Sequence, residues 1–422
     1  MRTTLLSTAL PNVDSGSGAS ITLAVIADAL RDRGHEVSLC PVVFPEYSTP
    51  DGADQEAQLA YASSLGYEVE PVISAAWQPG SPARTLGARL HRAWRPAPEE
   101  LYPTLRDAPV VRVAVERLRP EAVLAYGFEA LAASVEIAAP RFAATSDPPH
   151  LALRVRTWRR WREQRRPVRM VREAVALQSA LRAHPRVALD LLRGCDAVGA
   201  FGGHHAEWLR RLGVDCGYYH TPIADPGEPE QQRDNDPLRV LLVGHLRGTA
   251  TLDGFRIFQK MLPHLERGLA ARQFEVRVVG GYDPPPELAR VLEHPSVRLV
   301  GFVADVDEEF RAADVVLVPV SIKLGVRVRI LTAFAFGKCI VAHDANALGI
   351  PELAHDENAL LGGSPAELAQ RVLDALADAE LRARLGAGAR RTYERFFTPA
   401  HAGVELGETL ERLAGQRAAT SA

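Results

Sequence analysis

Apolar and polar residues follow two different periods in the N-terminal part of the chain. The run TTLLSTAL (3–10) is short and mostly apolar, which predicts a buried strand, and HEVSLCPVV (35–43) predicts another. Between them, ITLAVIADALRDRG (21–34) repeats its apolar residues at helical spacing and ends in a glycine, so it predicts an amphipathic helix. This order of strand, helix and strand predicts a βαβ unit of a parallel sheet.

The same alternation continues along the chain. EAVLAYG (121–127) and RFAATSD (141–147) predict later strands of the first sheet. Residues 221–237 are rich in proline and in acidic and polar residues, which is typical of a linker. A second series of apolar runs separated by helical segments begins at LRVLLVG (238–244) and extends through KCIVAHD (338–344), which predicts a second doubly wound domain.

The chain of 422 residues is long for a single hydrophobic core, and the two alternations predict two domains. We predict an α/β protein with two tandem Rossmann-like domains, each a doubly wound parallel sheet, over residues 1–222 and 238–395. Residues 223–237 would link them, and residues 396–422 would form a C-terminal helix. Because such sheets bind ligands at the carboxyl ends of their strands, we expect the two domains to face one cleft.

The composition narrows the classes of function. The formal net charge of −3 gives no overall attraction to nucleic acid, and no apolar run is long enough to span a bilayer. The four cysteines lie at no metal-ligand spacing, and we expect free thiols in a reducing cytoplasm. The N-terminus lacks the apolar core of a signal peptide, so we interpret it as the first strand.

Two loops that follow predicted strands are candidates for phosphate binding. Gly16 and Gly18 lie between the first strand and the first helix, where glycines let backbone N–H groups approach a phosphate. Arg247 lies in the loop GHLRGTA of the second domain and could clamp a diphosphate. A flexible turn and a solvated arginine are the alternatives for these two loops.

The stretch GVRVRILTAFAFGKCIVAHD (325–344) combines a glycine, two arginines and the start of a predicted helix. Gly325 permits a close approach of the backbone to a ligand. Arg327 and Arg329 would lie on the same side of an extended segment, so their guanidinium groups could converge on one diphosphate. The alternative is that these arginines pair with nearby acidic residues.

The loop GFV follows another predicted strand of the second domain. The backbone of Gly301, Phe302 and Val303 could hydrogen-bond a planar base there. The alternative is that Phe302 belongs to the hydrophobic core.

The segment ATSDPPHLALR carries the candidate acid–base residues of the first domain. Asp147 and His150 follow a predicted strand and could orient or deprotonate a hydroxyl group. For Asp147, a role as a turn or cap residue before two prolines is the alternative.

Residues 151–186 are strongly basic, with 11 Arg against 2 Glu, and Trp158, Trp161 and Met170 are interleaved with them. Arginine combined with tryptophan suits an anionic membrane surface, where the protein would meet a lipid-linked acceptor. An anionic acceptor and a solvated basic face are the alternatives. Nucleic acid ranks last, because no recognition module accompanies the segment.

Three stretches of the second domain carry a specific resemblance to a known family. They are PVSIKLGVRVRILTAFAFGKCIVAH, LGIPELAHDENALL and LVGFVADVDEEFRAADVVLVPV. In their order and spacing they resemble the donor-binding half of GT-B glycosyltransferases, and they are most similar to the large retaining family 4. The N-terminal stretch SGSGASITLAVIADALRDRGHEVSL resembles the same fold less specifically.

This resemblance implies a fold and a function for both domains. The C-terminal domain would bind a nucleoside diphosphate sugar, linked to UDP, GDP or dTDP, with the base at the GFV loop. The diphosphate would meet residues 325–329 and the glycine loop of the first domain. The acceptor would lie on the N-terminal domain, to which the last helix (396–422) would return. The family needs no metal and no further cofactor, because basic groups and helix N-termini stabilise the leaving diphosphate.

The sequence departs from the family pattern at several positions. The two glutamates that the family usually has eight positions apart correspond here to Leu324 and Thr332, and Thr332 would accept one hydrogen bond from the ribose. The usual His-Asp pair of the first domain is here Ser146–Asp147. These departures leave open the alternative of a catalytically degraded relative that serves as a binding or regulatory subunit.

The residues and the resemblance together predict transfer of a sugar to an acceptor hydroxyl in glycan, glycolipid or natural-product biosynthesis. The acceptor would be a sugar, a lipid-linked molecule or a small molecule. The enzyme would be cytoplasmic, either free or peripheral on the inner face of the membrane. A dinucleotide-binding enzyme would require a G-x-G-x-x-G after a strand, and the sequence contains none in that position.

Overall fold

The computed structural model describes residues 1–12, 18–44, 55–74, 96–145, 147–164, 167–229, 235–268, 274–281 and 284–421. The chain divides into two compact units. Unit 1 comprises Met1–Tyr219 and Ala402–Ala422, and unit 2 comprises His220–His401. Each unit is built on one parallel sheet, which confirms the predicted fold class.

The sheet of unit 1 has eight strands in the order β3-β2-β1-β5-β6-β7-β8, with β4 also paired to β2. The strands are β1 (Arg2–Ser7), β2 (Glu36–Val43), β3 (Glu68–Val69), β4 (Val72–Ile73), β5 (Ala122–Tyr126), β6 (Arg141–Thr145), β7 (Ala197–Ala200) and β8 (Gly217–Tyr218). The predicted strands at β1, β2, β5 and β6 are thereby confirmed. The short strands β3, β4 and β8 have only two residues each, too few for a periodic signal.

The helices of unit 1 connect these strands and cover the sheet. They are α1 (Gly18–Asp32), α2 (Gln55–Ser64), α3 (Pro98–Leu101), α4 (Ala108–Leu118), α5 (Phe128–Ala133), α6 (Pro149–Gln164), α7 (Pro167–Arg193), α8 (Gly203–Arg211) and, after unit 2, α15 (Pro399–Ser421). Residues 151–164 and 167–186 of the basic segment therefore lie on α6 and α7. No helix in the described parts of the chain is long and apolar enough to cross a membrane.

The first strand of unit 1 shows how buried polar groups are satisfied in this sheet. Thr3 and Thr4 of β1 are fully buried. The hydroxyl of Thr3 lies 2.9 Å from Nδ1 of His35, and the hydroxyl of Thr4 lies 2.8 Å from that of Ser38. Because each buried hydroxyl has a partner on β2 or at its start, β1 can lie at the centre of the sheet.

Helix α15 packs against α1 and the start of β2. Arg33 Nε donates to Glu411 at 2.7 Å, and His35 Nε2 lies 3.1 Å from the same carboxylate. These contacts lower the pKa of Glu411 to about 2. Gly403 approaches the carbonyl oxygen of Ala29 so closely that a Cβ atom there would lie 2.8 Å from it. The helix is thus held to unit 1 by a charge cluster and by close backbone contact.

The sheet of unit 2 has six parallel strands in the order β11-β10-β9-β12-β13-β14. They are β9 (Leu238–Val243), β10 (Phe274–Val279), β11 (Val297–Gly301), β12 (Val315–Val318), β13 (Cys339–His343) and β14 (Leu360–Gly362). The helices are α9 (Thr249–Gly268), α10 (Ala289–Leu292), α11 (Val306–Ala312), α12 (Val328–Ala335), α13 (Pro365–Ala377) and α14 (Ala379–Phe396).

Both faces of this sheet are covered by apolar side chains. Val240 and Leu242 of β9 belong to one core, together with residues of α9 and α13. Leu241 belongs to a second core on the opposite face, together with residues of α12 and α14. Because successive strand residues point to opposite faces, the continuous apolar run LRVLLV fills both cores at once.

Candidate functional site

The carboxyl ends of three adjacent strands of unit 2 are joined through glycines. The N–H of Gly244 donates to the carbonyl of Val279 at 2.9 Å, and the N–H of Gly280 donates to the carbonyl of Gly301 at 2.8 Å. A Cβ atom on Gly280 would lie 2.0 Å from the carbonyl oxygen of Gly244, so only glycine fits there. We call Gly244, Gly280, Gly281 and Gly301 the glycine shelf.

Arg329 extends from α12 onto this shelf. Its Nη1 donates to the carbonyl of Val243 at 2.5 Å, and its Nη2 lies 3.4 Å from the hydroxyl of Thr251. A Cβ atom on Gly244 would lie 2.6 Å from Nη1, so the guanidinium occupies space that a larger residue would fill. Burial and the charge of Arg327 lower the pKa of Arg329 to about 10. The group is therefore still a cation at neutral pH.

Among the described residues, the groups that compensate the charge of Arg329 are dipolar and carry no net charge. Its hydrogen-bond acceptors are a carbonyl and a hydroxyl, and no carboxylate raises its pKa. A desolvated cation without a carboxylate is costly, and an added anion beside it removes that cost. The alternative of pairing with a nearby acid, considered above for both arginines, is wrong for Arg329.

Arg327 occupies the position just before α12 and differs from its predicted geometry. It is the N-cap residue of the helix, and Arg329 already lies in the first turn, so the predicted extended segment through both residues is wrong. Nη2 of Arg327 donates to the carbonyl of Ile322 at 2.8 Å. The preceding turn depends on Gly325, whose φ of 68° is left-handed. The two guanidinium groups are still close enough to lower the pKa of Arg329.

Thr332 lies one turn further along α12. Its hydroxyl donates to the carbonyl of Val328 at 3.1 Å, a common bond for a helical threonine. The oxygen keeps acceptor capacity, because a hydroxyl has two lone pairs. Leu324, at the other position where the resemblance predicts a glutamate, is half-buried.

Phe302 lies at the outer end of the glycine shelf. Its side chain is 77% exposed, so the alternative that it belongs to the core is wrong. The left-handed φ of 80° at Gly301 turns the chain there, and the Phe302 ring lies 3.8 Å from the position of a Cβ atom on Gly281. Val303 turns inward and packs against the core. The loop thus presents one aromatic ring to solvent beside a glycine.

The remaining phosphate candidates lie in two loops. Arg247 is exposed, and its backbone N–H donates to Nδ1 of His245 at 3.1 Å. Gly18 is the first residue of α1. Gly16 lies outside the described residues.

In unit 1, Asp147 and His150 lie close in sequence but in different surroundings. Asp147 follows β6, and its side chain is 36% exposed. His150 lies in the first turn of α6 and is buried, with its ring 5.5 Å from that of Trp208. Burial, His184 and Arg154 lower the pKa of His150 to about 4. His150 is therefore a neutral, enclosed side chain, whereas the side chain of Asp147 is partly exposed.

Sequence reasoning missed His205, which lies beside Asp147. Its Nε2 lies 3.6 Å from Oδ1 of Asp147, and the residue is only 3% exposed. Burial, followed by the influence of His204 and His150, lowers the pKa of His205 to about 3. The signal was present in the sequence, because GGHH follows a predicted strand and opens a helix.

Part of the sequence matches a known protein family. Residues 237–378, less than half of the chain, match the family described as Glycosyl transferases group 1. This match contains the glycine shelf and α12 of unit 2. A search among curated proteins gives no match.

Solved structures resemble the whole chain at low sequence identity. The chain is similar to Anabaena Alr3699/HepE, solved in complex with UDP and glucose, with 17% identity and a TM-score of 0.63 over 97% of this chain and 99% of that one. It is similar to sucrose-phosphate synthase from Thermosynechococcus elongatus, with 14% identity and a TM-score of 0.67 over 98% and 99%. A glycosyltransferase from Rickettsia africae gives 12% identity and a TM-score of 0.64 over 98% of each chain. The chain therefore has the GT-B fold of these proteins.

Proposed function

We propose that this protein is a glycosyltransferase that moves a sugar from a nucleoside diphosphate sugar to an acceptor hydroxyl. The observation that carries the proposal is the Arg329 guanidinium, which lies on the glycine shelf without a carboxylate partner. A diphosphate supplies the missing negative charge, and glycines leave room for it. The match of this segment to the group 1 glycosyl transferases supports the same function.

The donor would lie along the carboxyl edge of the sheet of unit 2. Its diphosphate would meet Arg329 and Arg327, together with the turn at Gly325 and Arg247. The base would lie against Gly281 and the exposed ring of Phe302. The free lone pair of Thr332 would accept from the ribose, in place of the glutamate that the resemblance predicts.

The proposed transfer needs no metal ion. As the bond between sugar and phosphate breaks, negative charge builds on the departing diphosphate, and fixed cations stabilise it. Arg329 and Arg327 provide such cations in unit 2. We also propose the retaining outcome of family 4, because the resemblance is strongest to that family.

The experiment that tests the function is a nucleotide panel followed by a turnover assay. UDP is the first candidate, because the similar Anabaena protein was solved with UDP and with UDP-glucose. We expect one of UDP, GDP, dTDP and ADP, at a hundred times its dissociation constant, to stabilise the protein by about 2.7 kcal/mol. The corresponding nucleotide sugar should then be hydrolysed slowly, and the released nucleoside diphosphate measures this reaction.

The outcomes of this assay separate the proposal from its alternative. Binding of a nucleotide together with turnover supports the transferase. Binding without hydrolysis or transfer supports a catalytically degraded relative that serves as a binding subunit. A cooperatively melting protein that responds to no nucleotide contradicts the transferase and favours the degraded relative.

We further propose that the basic segment on α6 and α7 brings the protein to an anionic membrane surface, where a lipid-linked acceptor would be available. Residues 151–186 contain 11 Arg and only 2 Glu, and this positive charge supports the proposal. We expect co-sedimentation with vesicles that contain anionic lipid and none with purely zwitterionic vesicles. The double variant Arg159→Gln/Arg160→Gln should lose about 2 kcal/mol of binding, since each arginine near an anionic membrane surface contributes about 1 kcal/mol.

The control for membrane binding is Arg210→Gln/Arg211→Gln, which removes the same charge from α8 outside the segment. It should sediment with anionic vesicles like the unaltered protein. Equal sedimentation with both kinds of vesicle, or an equal loss in both double variants, would contradict the role of the segment.

A further inference from the structure

Asp147 and His205 come together because they follow adjacent strands of unit 1. The strands β6 and β7 pair in parallel, with Thr145 opposite Ala200 at their carboxyl ends. The chain reaches Asp147 shortly after the first of these ends and His205 shortly after the second. The carboxyl edge of a parallel sheet is where such proteins bind ligands.

The two side chains differ sharply in their exposure. The side chain of Asp147 is 36% exposed, whereas that of His205 is 4% exposed. Nε2 of His205 is buried and makes no hydrogen bond within the described residues, and it points toward Oδ1 of Asp147 at 3.6 Å. A buried polar atom without a partner calls for a functional explanation. If Nε2 of His205 and Oδ1 of Asp147 moved about 0.5 Å closer together, they would form a hydrogen bond.

The surroundings of His205 favour a neutral imidazole. Burial acts most strongly against a positive charge, followed by His204, whose tilted ring has its centroid 3.8 Å away, and by His150. A neutral imidazole with a proton on Nε2 can donate to a carboxylate without neutralising it. At the end of β5, Tyr126 lies on the same edge, and its burial, with a smaller contribution from the charge of Asp147, raises its pKa to about 12. Tyr126 therefore stays a neutral phenol beside the carboxylate.

We infer that His205 is a positioning residue, whose Nε2–H holds the Asp147 carboxylate in the orientation that receives the hydroxyl of the acceptor. The inference rests on the proposed function, which supplies the acceptor. One carboxylate oxygen accepts from His205, and the other accepts from the hydroxyl. As the hydroxyl oxygen bonds to the sugar on the face from which the diphosphate departs, its proton passes to Asp147, and the electron pair of the sugar–phosphate bond leaves with the nucleoside diphosphate. His150, which was the sequence-based candidate, has no part in this contact.

The test measures hydrolysis of UDP-glucose by the full-length protein, with water as the hydroxyl. Asp147→Asn should lower kcat by about 100-fold or more, because the amide cannot take the proton. His205→Phe should lower kcat by about 100-fold through misplacement of the carboxylate, with KM for UDP-glucose unchanged. His205→Gln retains an N–H donor at the reach of Nε2 and should recover kcat to within about 10-fold of the unaltered enzyme. This rescue also excludes loss of folding as the cause.

The matched control is His184→Phe, which removes another buried imidazole of unit 1 that makes no contact with Asp147. Its kcat should equal that of the unaltered enzyme. A wild-type kcat in His205→Phe would overturn the inference.

A second measurement is independent of the donor. In long-range proton–nitrogen spectra of histidine-labelled protein, Asp147→Asn should move the Nε2 signal of His205 and leave that of His184 in place. If UDP-glucose is neither bound nor hydrolysed, UDP-glucose is not the donor, and the spectra still decide the pairing. An unchanged His205 signal in Asp147→Asn would overturn the inference.

Discussion

Replacing Arg329 with methionine is expected to remove the stabilisation by nucleotide while leaving the ligand-free protein about as stable as before. A hydrogen bond from a guanidinium to a phosphate contributes about 1.5–3 kcal/mol, so the dissociation constant should rise by roughly 10-fold to 150-fold. Without ligand, Arg329 is a desolvated cation whose acceptors among the described residues are a carbonyl and a hydroxyl. Removing such a cation also removes its desolvation cost.

The matched control for Arg329 is Arg277 on β10 of the same sheet. Its guanidinium donates twice to Glu309, from Nη2 at 2.6 Å and from Nε at 2.8 Å. Arg277→Met leaves that carboxylate without its partner in a half-buried position, so it should lower the stability of the ligand-free protein. Nucleotide affinity of the folded protein should stay unchanged.

The two variants are therefore expected to differ in opposite ways: Arg329→Met lowers nucleotide affinity, whereas Arg277→Met lowers the stability of the ligand-free protein. Titration calorimetry with the nucleotide selected by the panel measures the affinity, and melting followed by far-ultraviolet circular dichroism measures the stability of both variants. Arg329→Lys keeps the charge but loses the planar fork, and we expect an intermediate affinity. Wild-type nucleotide affinity in Arg329→Met would contradict the proposed diphosphate site.

The fold was predictable because its signals are local and repeated. The apolar run of β9 and the helical spacing of α1 each report on backbone periodicity, which survives any change of tertiary neighbours. The resemblance added the GT-B architecture through motifs that lie in the segment 237–378. Element ends were less accurate, because a helix end depends on caps and on the tertiary contacts around it.

The candidate site was predictable only in part, because its geometry depends on contacts between distant segments. The sequence indicated arginines at the start of α12, but Arg329 reaches Val243, which lies 86 residues earlier in the chain. No local pattern predicts which cation ends on the glycine shelf. Phe302 shows the same limit, since an aromatic residue after a strand is expected to be buried, and only the turn at Gly301 leaves it exposed.

The partner of Asp147 was missed for a related reason. His150 is close to Asp147 in sequence, which made it the natural candidate. The parallel pairing of β6 with β7 instead brings His205 to within 3.6 Å of the carboxylate. A helical residue close in sequence can point elsewhere, whereas residues after neighbouring parallel strands share one edge. For a sheet of this kind, strand adjacency is therefore a better guide to an active site than distance along the chain.

Acid is expected to destabilise unit 1 steeply between about pH 6.5 and pH 4. Three buried histidines have pKa values far below the ordinary value of 6.5, about 4 for His150 and His184 and about 3 for His205. Burial is the largest cause in each case. Each residue is at most 6% exposed, so solvent screens little of this effect.

The direction of this pH dependence follows from the number of protons that the folded and the unfolded states bind. In the unfolded chain the histidines take up protons below pH 6.5, whereas in the folded unit they stay neutral until about pH 4, so unfolding gains protons in between. The contribution of these histidines to stability is therefore constant above about pH 7 and falls as the pH drops. At pH 5 each histidine removes about 2 kcal/mol, and three remove roughly 6 kcal/mol, a large share of a typical stability of about 5–15 kcal/mol.

Tryptophan fluorescence isolates this effect, because all five tryptophans of the sequence precede residue 220 and none lies in unit 2. Urea unfolding followed by this signal at pH 7, 6 and 5 should give a falling free energy, and His184→Phe should flatten the fall by about a third, since it removes one of three equal contributions. The carboxylates titrate mainly below this range. Glu411, whose pKa is about 2, adds its own loss only at lower pH. A free energy of unfolding that is equal at pH 7 and pH 5 would show that these imidazoles are hydrated or paired in the folded protein.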